Sequence, residues 1–313
     1  MSDFITEAFK REYDNTFRMV YQDSEFELEG AVLHETQQAE FKSWDFLGQT
    51  AGVWDRASNS HTTHVQTPHS RRGNKQRPWT WSDMSDDIDK IQALVDPTSQ
   101  YIRNMVAAAN RAKTERVLER MGATVLTGKD LTTVVNLYDA GESRVMQGDG
   151  TFAAAGAVPA DTAATTITLA KIAGVGLMMD QASIPKTDRH WALPVDNLWV
   201  LLGLAKVTSI DYNTQKVLTT GTLDNFMGFK FHFLPLDRFE TDVTETDCTR
   251  AYAWHRDAVL MTTGKDLVTK VDTMPDYNYS TQIFAEMYLG ALRMQGPGVI
   301  QVKLLTAPTL TYT

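Results

Sequence analysis

The chain has one cysteine in 313 residues, so no internal disulfide can form and a reducing compartment is the natural setting. Long hydrophobic runs are also missing. The longest, Leu198 to Val207, falls well short of the ~20 residues needed to span a bilayer. The opening MSDFITEAFKREYD has acids from its third position and lacks the apolar core of a secretory signal. Positive charge is in deficit, with 30 Lys and Arg against 39 Asp and Glu. The net charge of −9 has the wrong sign for a protein dedicated to neutralising duplex phosphates. Catalytic signatures are absent too: there is no G-x-S-x-G elbow and no glycine fingerprint after a strand, and Cys248 lies in an acidic stretch unsuited to a thiolate. The expectation is a protein made and kept in a cytoplasm, not an enzyme, with no cofactor and no membrane.

What is present has a definite order. At 42% hydrophobic and 22% charged, the chain has the composition of a globular protein with a real core. Its length allows two or three sub-domains of roughly 100–200 residues each. Phe4, Ile5, Ala8, Phe9 and Phe17 fall at helical spacings over residues 3 to 20, an amphipathic arm. Residues 45 to 80 are poor in aliphatics and rich in turn signals, an extended ribbon. This region and its edges nevertheless hold Trp44, Trp54, Trp79 and Trp81, which a segment so short of apolar partners can scarcely cover alone.

Next, Asp96 as cap, Pro97 at the first turn and Gly122 as stop frame a helix about 37 Å long, with Ile102, Met105, Val106, Ala109, Ala112, Leu118 and Met121 as its apolar stripe. Residues 139 to 165, rich in Gly and Ala, predict a loop insertion of low local stability. Helices near 166–180 and 197–207 with a strand at HWALPV predict a mixed α/β lobe. Alternation through Thr281, Ile283, Ala285, Met287, Leu289 and Ala291, the turn QGPG, and alternation again in VIQVKLL predict a long hairpin, although Ile283, Met287 and Ala291 would also suit a helix face.

Reactive chemistry finds weak footing. TGKDL occurs at 127–131 and 263–267, but five residues separate Gly122 from Gly128 and Asp130 follows Lys129, where a phosphate loop needs four residues and a hydroxyl. A plain turn fits better. His61, His64 and His69 lack the cysteines or regular element of a zinc site and read as solvated. Asp83, Asp86, Asp87 and Asp89 lack the Gly and Glu of a calcium loop, and suit the first turn of a helix. Arg71, Arg72, Lys75 and Arg77, followed by Trp79 and Trp81, could face single-stranded nucleic acid. Equal acid follows within a dozen residues, so complementarity between copies of the chain is preferred. LDRFETDVTETD, with Glu240, Asp242 and Glu245, offers a partner for the basic block, and Asp83 joins the candidates for inter-subunit contact.

These pieces, and the blocks TPHSRR, WSDMSDDIDKIQALVDPTSQY, AYAWHRDAVLMTTGKDLVTKV and YNYSTQIFAEMYLGALRMQGPGVIQVKLL, resemble the major capsid proteins of tailed bacteriophages. The resemblance covers most of the chain and weakens at 139–165 and 205–247. It implies the α+β fold named after the Hong Kong phage, with an N-terminal arm at 1–30 and an extended E-loop at 31–90. A peripheral domain would comprise 91–125 with 280–313, and an axial domain 126–279. It further implies self-assembly as pentamers and hexamers into an icosahedral shell around double-stranded DNA, in the virion, assembled in the bacterial host's cytoplasm.

The loop would reach over a neighbouring subunit, where only another copy can cover Trp79 and Trp81. Because the chain starts almost directly with the arm, a separate scaffold protein and a portal are expected, with a cement protein as a further candidate partner. Lys42 and Lys75 lie in the loop without an evident Asn partner, so a noncovalent shell is expected. The inner wall should meet packaged DNA without sequence-specific binding. The rival readings are an encapsulin-like compartment of the same fold and a metal-dependent hydrolase using the 83–89 carboxylates.

Overall fold

A computed structural model describes residues 25–52, 54, 58–62, 64–85, 98–159, 162–203, 225–241 and 247–306. The amphipathic arm, the Asp96 cap, Pro97, and the end of the helix expected to reach 207 lie outside the described residues. In chain order the elements are β1 (Leu33–Thr36), β2 (Phe41–Leu47), β3 (His69–Lys75), β4 (Arg77–Ser85), α1 (Thr98–Gly122), β5 (Val125–Thr127), β6 (Thr133–Val135) and β7 (Arg144–Met146). They continue with α2 (Leu169–Gln181), β8 (Arg189–Pro194), α3 (Val195–Gly203), β9 (Asn225–Phe226), β10 (Phe229–Leu234), β11 (Cys248–His255), β12 (Val259–Met274), β13 (Ser280–Arg293) and β14 (Val299–Leu305).

The lobe forms around a six-stranded sheet ordered β7-β14-β11-β8-β10-β9. β8 pairs parallel with β10 and antiparallel with β11, and β11 pairs antiparallel with β14 from Cys248↔Leu305 to Trp254↔Val299. Strands buried on both faces read as near-continuous apolar runs, which is why RHWALP in β8 shows no polar alternation. Trp191 meets Phe229 edge-on at 5.4 Å between ring centroids. Ile172, Val175 and Met179 of α2 and Leu201 of α3 close over these rings, together with Ile300, Val302 and Leu304 of β14. The start of α2 is fixed by Thr168, whose side chain accepts from the Lys171 amide.

Two expectations need correction here. β13 and β14 are strands, as their alternation predicts, but they do not form a hairpin together. β13 lies between β12 and β4 in a sheet ordered β1-β12-β13-β4, while β14 joins the lobe. Period-2 alternation reports extended backbone and says nothing about the partner. The QGPG segment moves the chain from one sheet to the other, with Met294 N–H donating to Ala258 O at 2.8 Å. The long hairpin is β12 with β13, turned by residues that include Asn278 and Tyr279 at positive φ. The other correction concerns 139–165, expected as a loop. It supplies β7, which pairs parallel with β14 and places Met146 in the core.

By compactness the chain divides into 1–25, 78–112 and 266–287 on one side, and 26–77, 113–265 and 288–313 on the other. The division falls within β4, α1, β12 and β13. Met105, Ala109, Leu118 and Met121 of the expected α1 stripe are buried, but Val106 is exposed, and Val117 and Thr114 are buried instead.

The end of α1 is set by contacts from outside it. Gly122 closes the helix against Tyr252, whose hydroxyl lies 2.2 Å from where a Cβ would stand. Arg293, fully buried, donates to the carbonyls of Met121 at 2.8 Å and Ala123 at 3.0 Å, satisfying acceptors that a helix terminus leaves open. Glu142 provides the counter-charge: Arg72 donates to one of its oxygens, and the other lies 3.6 Å from Arg293 Nε. Arg72 also donates to Arg293 O at 3.0 Å. Burial is the chief cause that lowers the Arg293 guanidinium to about 10, and Glu142 opposes it.

Removing one partner of a buried ion cluster strands the rest. Glu142→Gln should therefore cost about 3–5 kcal/mol in urea unfolding of the isolated chain. Arg71→Ala, which breaks an exposed pair with Asp45, should leave the same midpoint unmoved.

Candidate assembly surface

The region expected as an extended ribbon is a β-hairpin. β2 and β3 pair antiparallel from Phe41↔Lys75 to Leu47↔His69, and β5 with β6 extends them into a four-stranded sheet. The alternating residues of β2 are exposed or half-buried, and none is fully buried. Toward the tip, Leu47 is 72% exposed and Trp54 89%, apolar surface that is available to a partner.

The base is fixed differently. Gln37, Asn74 and Gln76 are buried amides. Gln37 Nε2 donates to the carbonyls of Ala39 and Glu40 at 2.9 and 3.1 Å, and Gln76 Nε2 donates to Gln37 O at 2.9 Å. Asn74 Nδ2 donates to Thr262 Oγ1 at 2.9 Å, and the backbone N–H of Gln37 donates to Thr263 O at 3.0 Å. The arrangement needs glycines: a Cβ at Gly264 would stand 2.1 Å from Gln76 Oε1, and one at Gly290 would stand 2.2 Å from Asn74 Nδ2. In β3, Gly73 leaves room for the ring of Phe41. A directional polar anchor thus holds the hairpin's root, while Leu47 and Trp54 beyond it are exposed.

Each basic side chain of the expected contact set can now be placed. Arg71 grips Asp45, its cross-strand neighbour, through Nη2 at 3.0 Å as well as Nε, and this holds the Asp45 carboxyl below its usual range. Arg72 is committed to Glu142 and Arg293 O. Lys75 pairs with Glu40 at 2.8 Å. Arg77 is exposed at the start of β4. Trp79, Trp81 and Asp83 follow on β4, each half-buried.

Among the acids, Glu240 meets Arg250 at 3.4 Å, while Asp242 and Glu245 lie outside the described residues, as do Asp86, Asp87 and Asp89. Lys42 binds Glu35 at 2.8 Å, lies over the ring of Trp44 and thereby helps cover it; Trp44 also donates to Glu35 at 2.9 Å. Sequence reasoning identified the basic block but missed these in-chain carboxylates. The Asp45–Arg71 pair could have been found by folding 41–47 back on 69–75, whereas Glu142 could not, since its neighbourhood reads as loop.

Other sequence-level candidates resolve plainly. The first TGKDL is a turn between β5 and β6, with Gly128 and Leu131 at positive φ and Leu131 N–H donating to Gly128 O at 3.2 Å. The second lies within β12. His61, His64 and His69 are exposed, and among the described residues no group of three or more His, Cys, Asp or Glu is placed to hold a metal ion. None of the described helices is long and apolar enough to cross a membrane.

Residues 5–306 match the family described as phage capsid protein. Among solved structures, the capsid of cyanophage P-SCSP1u is similar at 15% identity and a TM-score of 0.71, covering 97% of this chain and 95% of that one. The cyanophage Pam1 capsid asymmetric unit matches at 12% identity and a TM-score of 0.73, over 99% and 100%. The capsid of Ralstonia phage GP4 matches at 11% and 0.65, over 98% and 97%. No curated protein matches.

The glycine at the hairpin root gives a direct check. Gly290→Ala forces a methyl into the Asn74–Thr262 hydrogen bond, and should destabilise the chain by about 1–3 kcal/mol. Hydrogen exchange should show the loss concentrated in 37–47 and 69–76.

Proposed function

The chain belongs to the phage capsid protein family and has the Hong Kong phage-type capsid fold, and from that premise we propose that its copies close as pentamers and hexamers into an icosahedral shell enclosing phage double-stranded DNA. The observation that carries this is the family match across residues 5–306 together with capsid structures matched over nearly their whole length. The role is structural, with no reaction required of any residue.

We assign 1–30 to an N-terminal arm, 31–90 to the E-loop, 91–125 with 280–313 to a peripheral domain, and 126–279 to an axial domain, with β14 sharing the axial core. The loop that reaches a neighbouring subunit is then the β2–β3 hairpin, with Trp54 and Leu47 as its apolar contacts. Because Arg71, Arg72 and Lys75 already have carboxylates within the chain, Arg77 is the member of the basic block with most to offer a neighbour, alongside Trp79, Trp81 and Asp83 on β4. Asp242 and Glu245 remain the acidic partners in this reading, since Glu240 already meets Arg250. Lys42 and Lys75 each hold a carboxylate within the chain, which supports a shell without covalent cross-links.

Closed shells of one chain make heterologous contacts that must tolerate small angular differences, and a hairpin fixed at its root and free at its tip suits that demand. A net charge of −9 suits a container whose inner wall must not grip its contents. A separate scaffold, a portal and a cement protein are the partners this reading calls on, with assembly in the host cytoplasm.

Negative-stain electron microscopy with sedimentation of the purified chain tests the reading. Uniform shells, or capsomers in exchange with them, are expected. A dimer or tetramer that never assembles, even with a scaffold added, would refute it, and co-purified protein cargo in place of DNA would point to an encapsulin-like compartment. Trp54→Ala and Arg77→Glu should reduce shell yield and heat resistance while the isolated chain unfolds as the parent does. Denaturing electrophoresis of mature shells should give a single band, not a ladder.

A further inference from the structure

β12 and β13 run out to an exposed tip. Pro275–Tyr277 form one 3-10 turn, Asn278 and Tyr279 follow at φ of 52° and 60°, and Ser280 Oγ donates to Tyr277 O at 2.6 Å, which fixes the turn. Tyr277 is 58% exposed and Tyr279 68%. The strand that leads to them is open as well. Each residue from Val268 to Thr273 is exposed, and β1 pairs with β12 over Leu260–Thr263 and no further.

In the left-handed region an L-residue sets its Cβ against its own backbone, so turns that need this conformation default to glycine. Eight non-glycine residues adopt it among the described residues. Asn59, Asp188, Asp247 and Asn278 have the short polar side chain that tolerates it. Ser183 closes the end of α2, its N–H donating to Asp180 O at 3.0 Å. Leu131 lays its side chain against Gly73, inside the chain. That leaves Met227 and Tyr279, of which Tyr279 is the bulkier and the more exposed, at 68% against 51%. Glycine or asparagine at 279 would serve folding at least as well, since the ring strains the backbone and covers little of its own chain.

We infer that Tyr279, with Tyr277 in the same turn, is an anchor that docks on a second copy of the chain.

The inference rests on the proposed shell, in which the surface always at hand is another copy. Local charge argues against nucleic acid as the occupant. Residues 266–279 carry Asp266, Asp272 and Asp276 against Lys270, a balance that repels a phosphate backbone and makes stacking on bases the poorer fit. Two tyrosines rimmed by charges of both signs, with Val268 and Val271 exposed on the strand behind them, have the make-up of a protein–protein contact. A tyrosine brings a large contact area with few rotamers to freeze, and a turn already fixed lowers the ordering cost further.

Nitration of tyrosines in intact shells, read by mass spectrometry, tests the contact. Tyr277 and Tyr279 should react several-fold more slowly in shells than after the shells are dissociated. Tyr279→Gly and Tyr279→Asn, which relieve the backbone, should leave the urea midpoint of the isolated chain equal or raised. Yet each should raise the chain concentration needed for assembly about tenfold, as the loss of one interface anchor does. A midpoint that falls in both variants returns the ring to folding and overturns the anchor. Rings that react as fast in intact shells as after dissociation, or variants that assemble as the parent does, also overturn it and leave the shell standing. Protection found in DNA-filled shells and lost in empty ones assigns the rings to nucleic acid and overturns it too. A parent chain that forms no shell at all removes the reading beneath, and the anchor with it.

Discussion

The largely buried carboxylate of Glu142 is the constraint on which the larger unit's architecture depends. It faces two guanidiniums, Arg72 from the hairpin and Arg293 from the end of β13, and Arg293 in turn caps the last carbonyls of α1. Three elements far apart in sequence therefore share one charge. Such a cluster adds little net stability over an apolar replacement, because desolvation offsets most of the Coulomb energy. Its effect is selective: an alternative packing that separates any member leaves a charge buried without compensation, which costs more than a misplaced aliphatic would.

The hairpin root follows the same logic with neutral groups. Gln37, Asn74 and Gln76 could in principle have been aliphatic, and the contact with β12 would still have buried their area. Amides instead demand specific partners, and a one-residue slip of β3 would break the Asn74–Thr262 bond and expose Gly73 to a different ring. Beyond the root only the β2–β3 ladder continues, and Leu47 and Trp54 are exposed. A position fixed at one end and uncovered at the other is consistent with a segment whose remaining contacts come from another copy in the proposed shell.

Much of this was legible in sequence wherever one element's own pattern decides. The spine helix, the α/β lobe, the HWALPV strand and the alternation of β13 and β14 each read correctly from period and punctuation. What failed was pairing. VIQVKLL looks like the return strand of a hairpin because QGPG precedes it, yet β11 and β7 offer it a fully buried place and the turn redirects it there. The 139–165 segment failed for a related reason: a three-residue strand at a sheet edge has no period to detect, and Glu142 looks like any solvated acid until β3 is docked. At the assembly surface, the basic block was evident as charge, but charge alone does not say whether the partner carboxylate lies in the same chain.

That distinction governs how the surface can work. A surface arginine that already grips a neighbouring carboxylate gains little from a second one, because the new contact must displace the old and desolvate the same guanidinium. In-chain pairing thus occupies Arg71, Arg72 and Lys75, of which only Arg72 is largely buried, and shifts the expected specificity toward Arg77 and the tryptophans. Apolar contacts such as Leu47 and Trp54 can slide over a partner by small angles without losing contact, whereas a fixed ion pair cannot. An apolar tip on a root held by buried amides therefore reconciles the two demands of the proposed shell: one chain must keep one shape, yet must meet neighbours at slightly different angles around pentamers and hexamers.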